Sequence, residues 1–150
     1  MLIVSACLAG CQCRYDGNHK ADARMMELVQ KGLAIPVCPE QLGGLSTPRS
    51  PSEIPDGTGA DVISGKARVL TKDGRDVTEP FIKGAQETLR ICKLAGATKA
   101  ILKANSPSCG SGVIYDGTFS GKKKEGDGVT AALLRENGIQ VLSEEEHHEG

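Results

Sequence analysis

Apolar positions along the chain gather into four short, nearly continuous runs: Met1 to Ala6, Leu33 to Val37, Thr98 to Lys103 and Ile139 to Leu142. Continuous apolar runs of this length, bounded by turn formers, are the pattern of strands buried on both faces. Between them the spacing changes. Residues 22 to 31 carry Met25, Met26, Leu28 and Val29 at helical intervals and end at Gly32, which predicts a short amphipathic helix. Thr78 followed by Pro80 predicts a helix start. From there to Ala95 the residues Phe81, Ala85, Leu89 and Cys92 form one apolar stripe, so Cys92 is expected to be a core thiol. Asp127 is a candidate cap for a third helix over 129 to 137, which offers Ala131, Ala132 and Leu134 to a sheet and stops at Gly138.

Strands alternating with helices predict an α/β fold: three layers around a four-stranded parallel sheet with right-handed crossovers. Pro36 cannot donate to a ladder, which places the second strand at an edge and gives the strand order 2-1-3-4. The remainder is irregular. Residues 39 to 60 are rich in proline and glycine, yet hold Leu42, Leu45 and Ile54 for packing, and read as a long ordered loop. Residues 67 to 77 predict a small hairpin insertion turning at Asp73-Gly74, and 115 to 121 a further turn. Lys122 to Lys124 read as a solvated tip. The tail from Glu144 is polar and expected to fray, 146 to 150 above all, and His147 and His148 read as solvated residues of that tail.

A length of 150 residues suits one domain spanning 1 to 150. The net charge of -1 and pI near 6.3 argue against a protein that works by blanketing nucleic-acid phosphate. Aromatic content of 3% with no Trp argues against a single-strand stacking platform. No apolar run reaches the roughly 20 residues that span a bilayer, and the first residues lack the features of a secretory leader. The expected location is the cytoplasm, without membrane contact. Six cysteines in a reducing compartment point to metal or catalysis rather than disulfides.

The placement of those cysteines carries the chemistry. Cys7, Cys38 and Cys109 each lie just past an apolar run, and ligands of open parallel sheets bind outside the carboxyl ends of the strands. Ser106-Pro107-Ser108-Cys109-Gly110-Ser111-Gly112 adds hydroxyls and bare backbone at one such corner. His19 is the one histidine outside the tail, which disfavours Ser-His or Cys-His hydrolysis. The closest Cys pair, Cys11 and Cys13, is separated by one residue, unlike the usual paired ligands of structural zinc. Three thiolates from three strand ends could instead hold a cubane iron-sulfur cluster and leave one iron open; buried inert thiols are the alternative. Glycines 43, 44, 110 and 112 would let backbone amides approach an anion or cluster sulfides.

Ser5-Ala6-Cys7-Leu8, Cys13-Arg14-Tyr15-Asp16-Gly17, Val37-Cys38-Pro39-Glu40-Gln41-Leu42-Gly43-Gly44-Leu45, Pro48-Arg49, Lys66-Ala67-Arg68 and Ser106-Pro107-Ser108-Cys109-Gly110 together resemble the thiouracil desulfidase family, from Met1 to about Glu146. The resemblance implies a 4Fe-4S cluster held by three cysteines and non-redox removal of sulfur from a thiopyrimidine, leaving the oxo base and hydrogen sulfide. On that reading the ligands are Cys7, Cys38 and Cys109, with Cys13 the alternative because it too lies in a family motif. Glu40 is the candidate base for an attacking water, and Ser106 would orient it or relay a proton. Arg14, Arg49, Lys103 and Ser108 are candidate substrate contacts. An open cubane is oxygen-labile, so protein prepared in air need not retain it. Larger relatives carry an added domain and are linked to thiolated tRNA; a single domain without net positive charge favours a small thiopyrimidine base or nucleotide, with tRNA an unlikely partner. Two rivals remain: a zinc-binding or persulfide-carrying module without catalysis, and a nucleotide-binding regulatory domain built on the glycine corners.

Overall fold

A computed structural model of the chain describes residues 1–147; His148 lies outside the described residues. The four apolar runs form one parallel sheet of β1 (Leu2–Ser5), β2 (Ala34–Val37), β5 (Lys99–Leu102) and β8 (Gln140–Ser143), in the order β2-β1-β5-β8. That is the expected 2-1-3-4 arrangement, with Pro36 on the edge strand. Registers pair Ile3 with Ile35 and with Ala100, and Ala100 with Val141. Successive side chains of a strand point to opposite faces, and each face is covered. Val4 and Ile101 pack with Met25 of α1 (Ala23–Gln30). Ile3, Ala100 and Leu102 pack on the other face against Cys92 of α4 (Thr78–Ala95) and Ala131 and Leu134 of α5 (Val129–Glu136). The three layers are therefore α1, the sheet, and α4 with α5. Cys92 is fully buried as expected.

Between β2 and α4 the chain is more ordered than the sequence suggests. The stretch 39–60 contains α2 (Pro39–Leu42), β3 (Ser52–Glu53) and the start of α3 (Gly59–Ile63). Pro39 stands in the first turn of α2, and Thr58 with Asp61 closes a capping box on α3, so local chemistry starts both helices. The Gly74 turn forms, but β4 (Leu70–Thr71) builds its antiparallel ladder with β3 and makes only an isolated bridge to Asp76. A second hairpin joins β6 (Val113–Tyr115) and β7 (Lys123–Glu125), which absorbs two of the lysines expected at a tip; Lys124 Nζ donates to Ile54 O at 2.7 Å.

Two helix caps differ from expectation. α4 is preceded by Val77, and the Thr78 hydroxyl instead accepts from the Val69 amide at 2.9 Å. α5 is preceded by Gly128, while Asp127 accepts from the Gly112 amide and pairs with Arg135. The tail is held as far as His147: Arg24 donates to the carbonyls of Glu144 and His147, and Glu144 Oε1 accepts from the Ala104 amide at 2.7 Å. Those bonds give the polar tail an internal partner and so prevent fraying over these residues. Among the described residues no helix is long and apolar enough to cross a membrane.

Candidate active site

The carboxyl ends of β1, β2 and β5 open onto one cavity of about 530 Å³, and Cys7, Cys13, Cys38 and Cys109 all line it. Each thiol is placed by a different local device. Cys7 sits in a 3-10 turn, Ala6–Ala9, which ends at Gly10 with φ 97°, a conformation open to glycine without strain. Cys38 is the residue before α2, with Pro39 and Glu40 in that helix's first turn. The turn is pressed against α4 through two glycines: a Cβ on Gly43 would lie 2.0 Å from Pro80 O, and one on Gly84 2.0 Å from Pro39 O. Cys109 lies in a loop whose carbonyls receive the first amides of α5. Val129 N donates to Pro107 O and Thr130 N to Ser108 O, both at 2.8 Å.

The thiols are buried apart from Cys38, which is half-buried, and Cys11, which is exposed and is not among the lining residues. Burial holds the Cys109 thiol up at about 12. Cys13 is within hydrogen-bond reach of the Cys38 and Cys7 thiols; Cys38 pulls it down, but Cys7 and burial outweigh that and raise it to about 11. Cys38 is raised far above the ordinary thiol range by its hydrogen bond to Cys13 and by burial. Such thiols give up their protons only to a strongly electrophilic group, and a set of three or four soft donors on one wall fits an iron-sulfur cluster. Among the described residues no three His, Cys, Asp or Glu side chains close on one point as ligands of a single metal ion do.

Glu40 projects from α2 into the same cavity. Its Oε2 accepts from Arg49 Nε at 2.8 Å, and the Arg49 side chain is only 8% exposed. The rest of that guanidinium is also engaged: Nη2 donates to Cys13 O at 2.9 Å, and Nη1 to Thr47 Oγ1 and Ser46 O. Arg49 therefore ties α2, the Cys13 loop and the chain around Thr47 together, with four of its five N–H donors engaged in these bonds. Lys103 lines the cavity but pairs with Glu144 at 2.9 Å. Arg14 also lines it, 5.5 Å over the Tyr15 ring and 3.8 Å from Asp16.

Ser106 lines the cavity and accepts from the amides of Ser108 and Cys109 at 3.1 and 2.9 Å. With both amides on its oxygen, its own proton remains to donate. Ser108 is absent from the lining; its hydroxyl is buried and paired with Thr130 at 2.8 Å. Gly43 and Gly110 have packing roles, since a Cβ on Gly110 would lie 2.6 Å from Val113 O. Sequence reasoning missed Lys20, Lys72, Glu53, Tyr115 and Phe119, which also line the cavity. The lysines sit in polar loops with no spacing to mark them. The aromatics carried one signal, their scarcity.

Comparison with known proteins shows the family of the chain. A family model described as 2-thiouracil desulfurase matches residues 2–146. YbbK, an uncharacterised protein of Bacillus subtilis (strain 168), is 55% identical over 146 residues, covering 97% of each chain. A solved structure described as a [4Fe-4S]-dependent thiouracil desulfidase, TudS, superposes with a TM-score of 0.84 at 46% identity, covering 96% of this chain and 90% of that one.

Proposed function

Because the chain belongs to the 2-thiouracil desulfurase family, we propose that it removes sulfur from 2-thiouracil, 4-thiouracil or their nucleosides and nucleotides, giving the oxo base and hydrogen sulfide. The observation that carries the reading is one cavity lined at once by four thiols and a carboxylate fixed by a buried arginine. Cys7, Cys38 and Cys109 would hold a 4Fe-4S group, with Cys13 the alternative ligand. Bound there, the group supplies an open iron as a Lewis acid for the thiocarbonyl sulfur.

The chain's own side chains then manage water and protons. Arg49 occupies Glu40 Oε2 and so leaves Oε1 as the oxygen that takes a proton from the attacking water. The water oxygen bonds to the ring carbon as the carbon-sulfur bond breaks. Both water protons leave with the sulfur as hydrogen sulfide, one by way of Glu40, and no electrons are exchanged. Ser106, with amides on its oxygen, directs its proton into the cavity and orients the water or the departing group. Lys20, Lys72 and Arg14, all in the cavity lining, add positive charge suited to the polar part of a small substrate. The proposed setting is the cytoplasm, and the proposed substrate is a small base or nucleotide rather than a tRNA. A module that merely stores zinc or sulfur would have no use for a carboxylate held in this way.

The test is iron, acid-labile sulfide and zinc content of protein purified without oxygen, together with sulfide release from thiouracils and their nucleotides. About four irons and four sulfides per chain with sulfide release is the expected result. Stoichiometric zinc, with no iron taken up on reconstitution, would overturn it.

A further inference from the structure

The chain has only two Tyr and two Phe. Phe81, on α4, is buried in the core, and the other three, Tyr15, Tyr115 and Phe119, all line the thiol cavity. Phe119 is placed with particular care. It sits in the loop joining β6 to β7 with φ 55°, a backbone conformation that bulky side chains rarely adopt and that surrounding structure must enforce. The enforcement comes from Glu53, only 8% exposed, whose Oε1 accepts from the amides of Gly117 and Phe119 at 2.9 and 3.2 Å. Gly117 is pressed against β3's continuation, where a Cβ would lie 2.2 Å from Pro55 Cα. A carboxylate buried to hold two backbone amides fixes one loop geometry, and that geometry places an aromatic side chain in the lining of the cavity that also holds the thiols.

We propose that Phe119 is the surface on which the pyrimidine ring of the substrate stacks, and that Glu53 is a positioning residue that keeps it in the cavity. The inference rests on the thiopyrimidine reading above and adds that recognition is of a flat aromatic ring, not of the thiocarbonyl alone. Loss of a base-stacking ring costs about 1–3 kcal/mol, which is roughly a fivefold to 150-fold weakening.

The chain lacks Trp, so a Phe119→Trp variant carries a single reporting indole. Titration with uracil, the oxo product, should quench its fluorescence saturably, whereas urea at the same concentrations should not. In loaded enzyme, Phe119→Leu should raise KM for thiouracil at least about fivefold with kcat within threefold. Glu53→Ala should do the same, and Glu53→Gln, which keeps an acceptor oxygen, should restore most of the affinity. Circular dichroism confirms that each variant is folded; if Glu53→Ala is not, the two Phe119 variants decide. Wild-type enzyme that releases sulfide, beside a Phe119→Leu variant of unchanged KM and an indole indifferent to uracil, overturns the stacking role and leaves the desulfidase reading intact. Wild-type enzyme that releases no sulfide defeats the desulfidase reading instead; quenching by uracil then still supports the stacking surface, and its absence overturns that too.

Discussion

Arg49 reaches Glu40, Cys13 O, Thr47 and Ser46 from a single planar fork, which an ammonium cannot copy. Glu40→Gln removes the proposed proton acceptor but no thiol, so sulfide release should fall by about a hundredfold or more while iron content per chain stays that of the wild type. Arg49→Lys keeps a positive charge yet frees the carboxylate, and kcat should drop on the order of a hundredfold through misplacement of the base, again with iron retained. Arg49→Ala leaves buried acceptors unpaired and should cost about 3 kcal/mol in a urea unfolding experiment. Glu40 was legible in the sequence, two residues past a strand-end cysteine. Its partner was legible only as a nearby positive charge, because the pairing depends on how the chain from Gly43 to Pro48 folds back. Ser108 illustrates the reverse: beside Cys109 in sequence, it is turned by the loop toward Thr130.

At the level of elements, the weight falls on the contact between α2 and α4. Gly43 and Gly84 bring the two backbones closer than any Cβ permits, and the same short helix starts from Cys38 and carries Glu40. Gly84→Ala must therefore push α2 outward. The expected outcome is a folded protein with a lower Tm and, after anaerobic reconstitution, less bound iron than wild type; an alanine at exposed Gly32, by contrast, should leave iron loading unchanged. The helices and core strands were readable because their apolar spacing is long and regular. The pieces between Cys38 and Thr78 were not, since α2, β3 and β4 span only two to four residues each and take their form from tertiary partners. Asp127 shows the same limit, since its place before a helix suggests a cap and its real partners, Gly112 and Arg135, come from elsewhere in the fold.

For the whole molecule the buried thiols set a pH limit. In cluster-free protein Cys13 and Cys92 are raised from 9.0 to about 11 and Cys109 to about 12. Between about pH 9 and 11 the native state keeps protons that the unfolded chain releases, so stability present below about 9 is lost as pH rises. The Tm of cluster-free protein should decline across that interval, and a flat profile would contradict the burial of these groups. The order of strands has a separate consequence, for assembly in time. β1 is one of the sheet's two interior strands, and one of its neighbours, β2, follows within some thirty residues. Its other neighbour pairs Leu2 with Lys99, so one hydrogen-bonding edge of β1 stays unpaired until β5, almost a hundred residues further on, has been synthesised. Pairings this remote are slow to form and open to aggregation. The Cys7 and Cys38 corners can meet on a growing chain well before the Cys109 corner exists, and the last wall of the cavity is laid when β5 closes the gap.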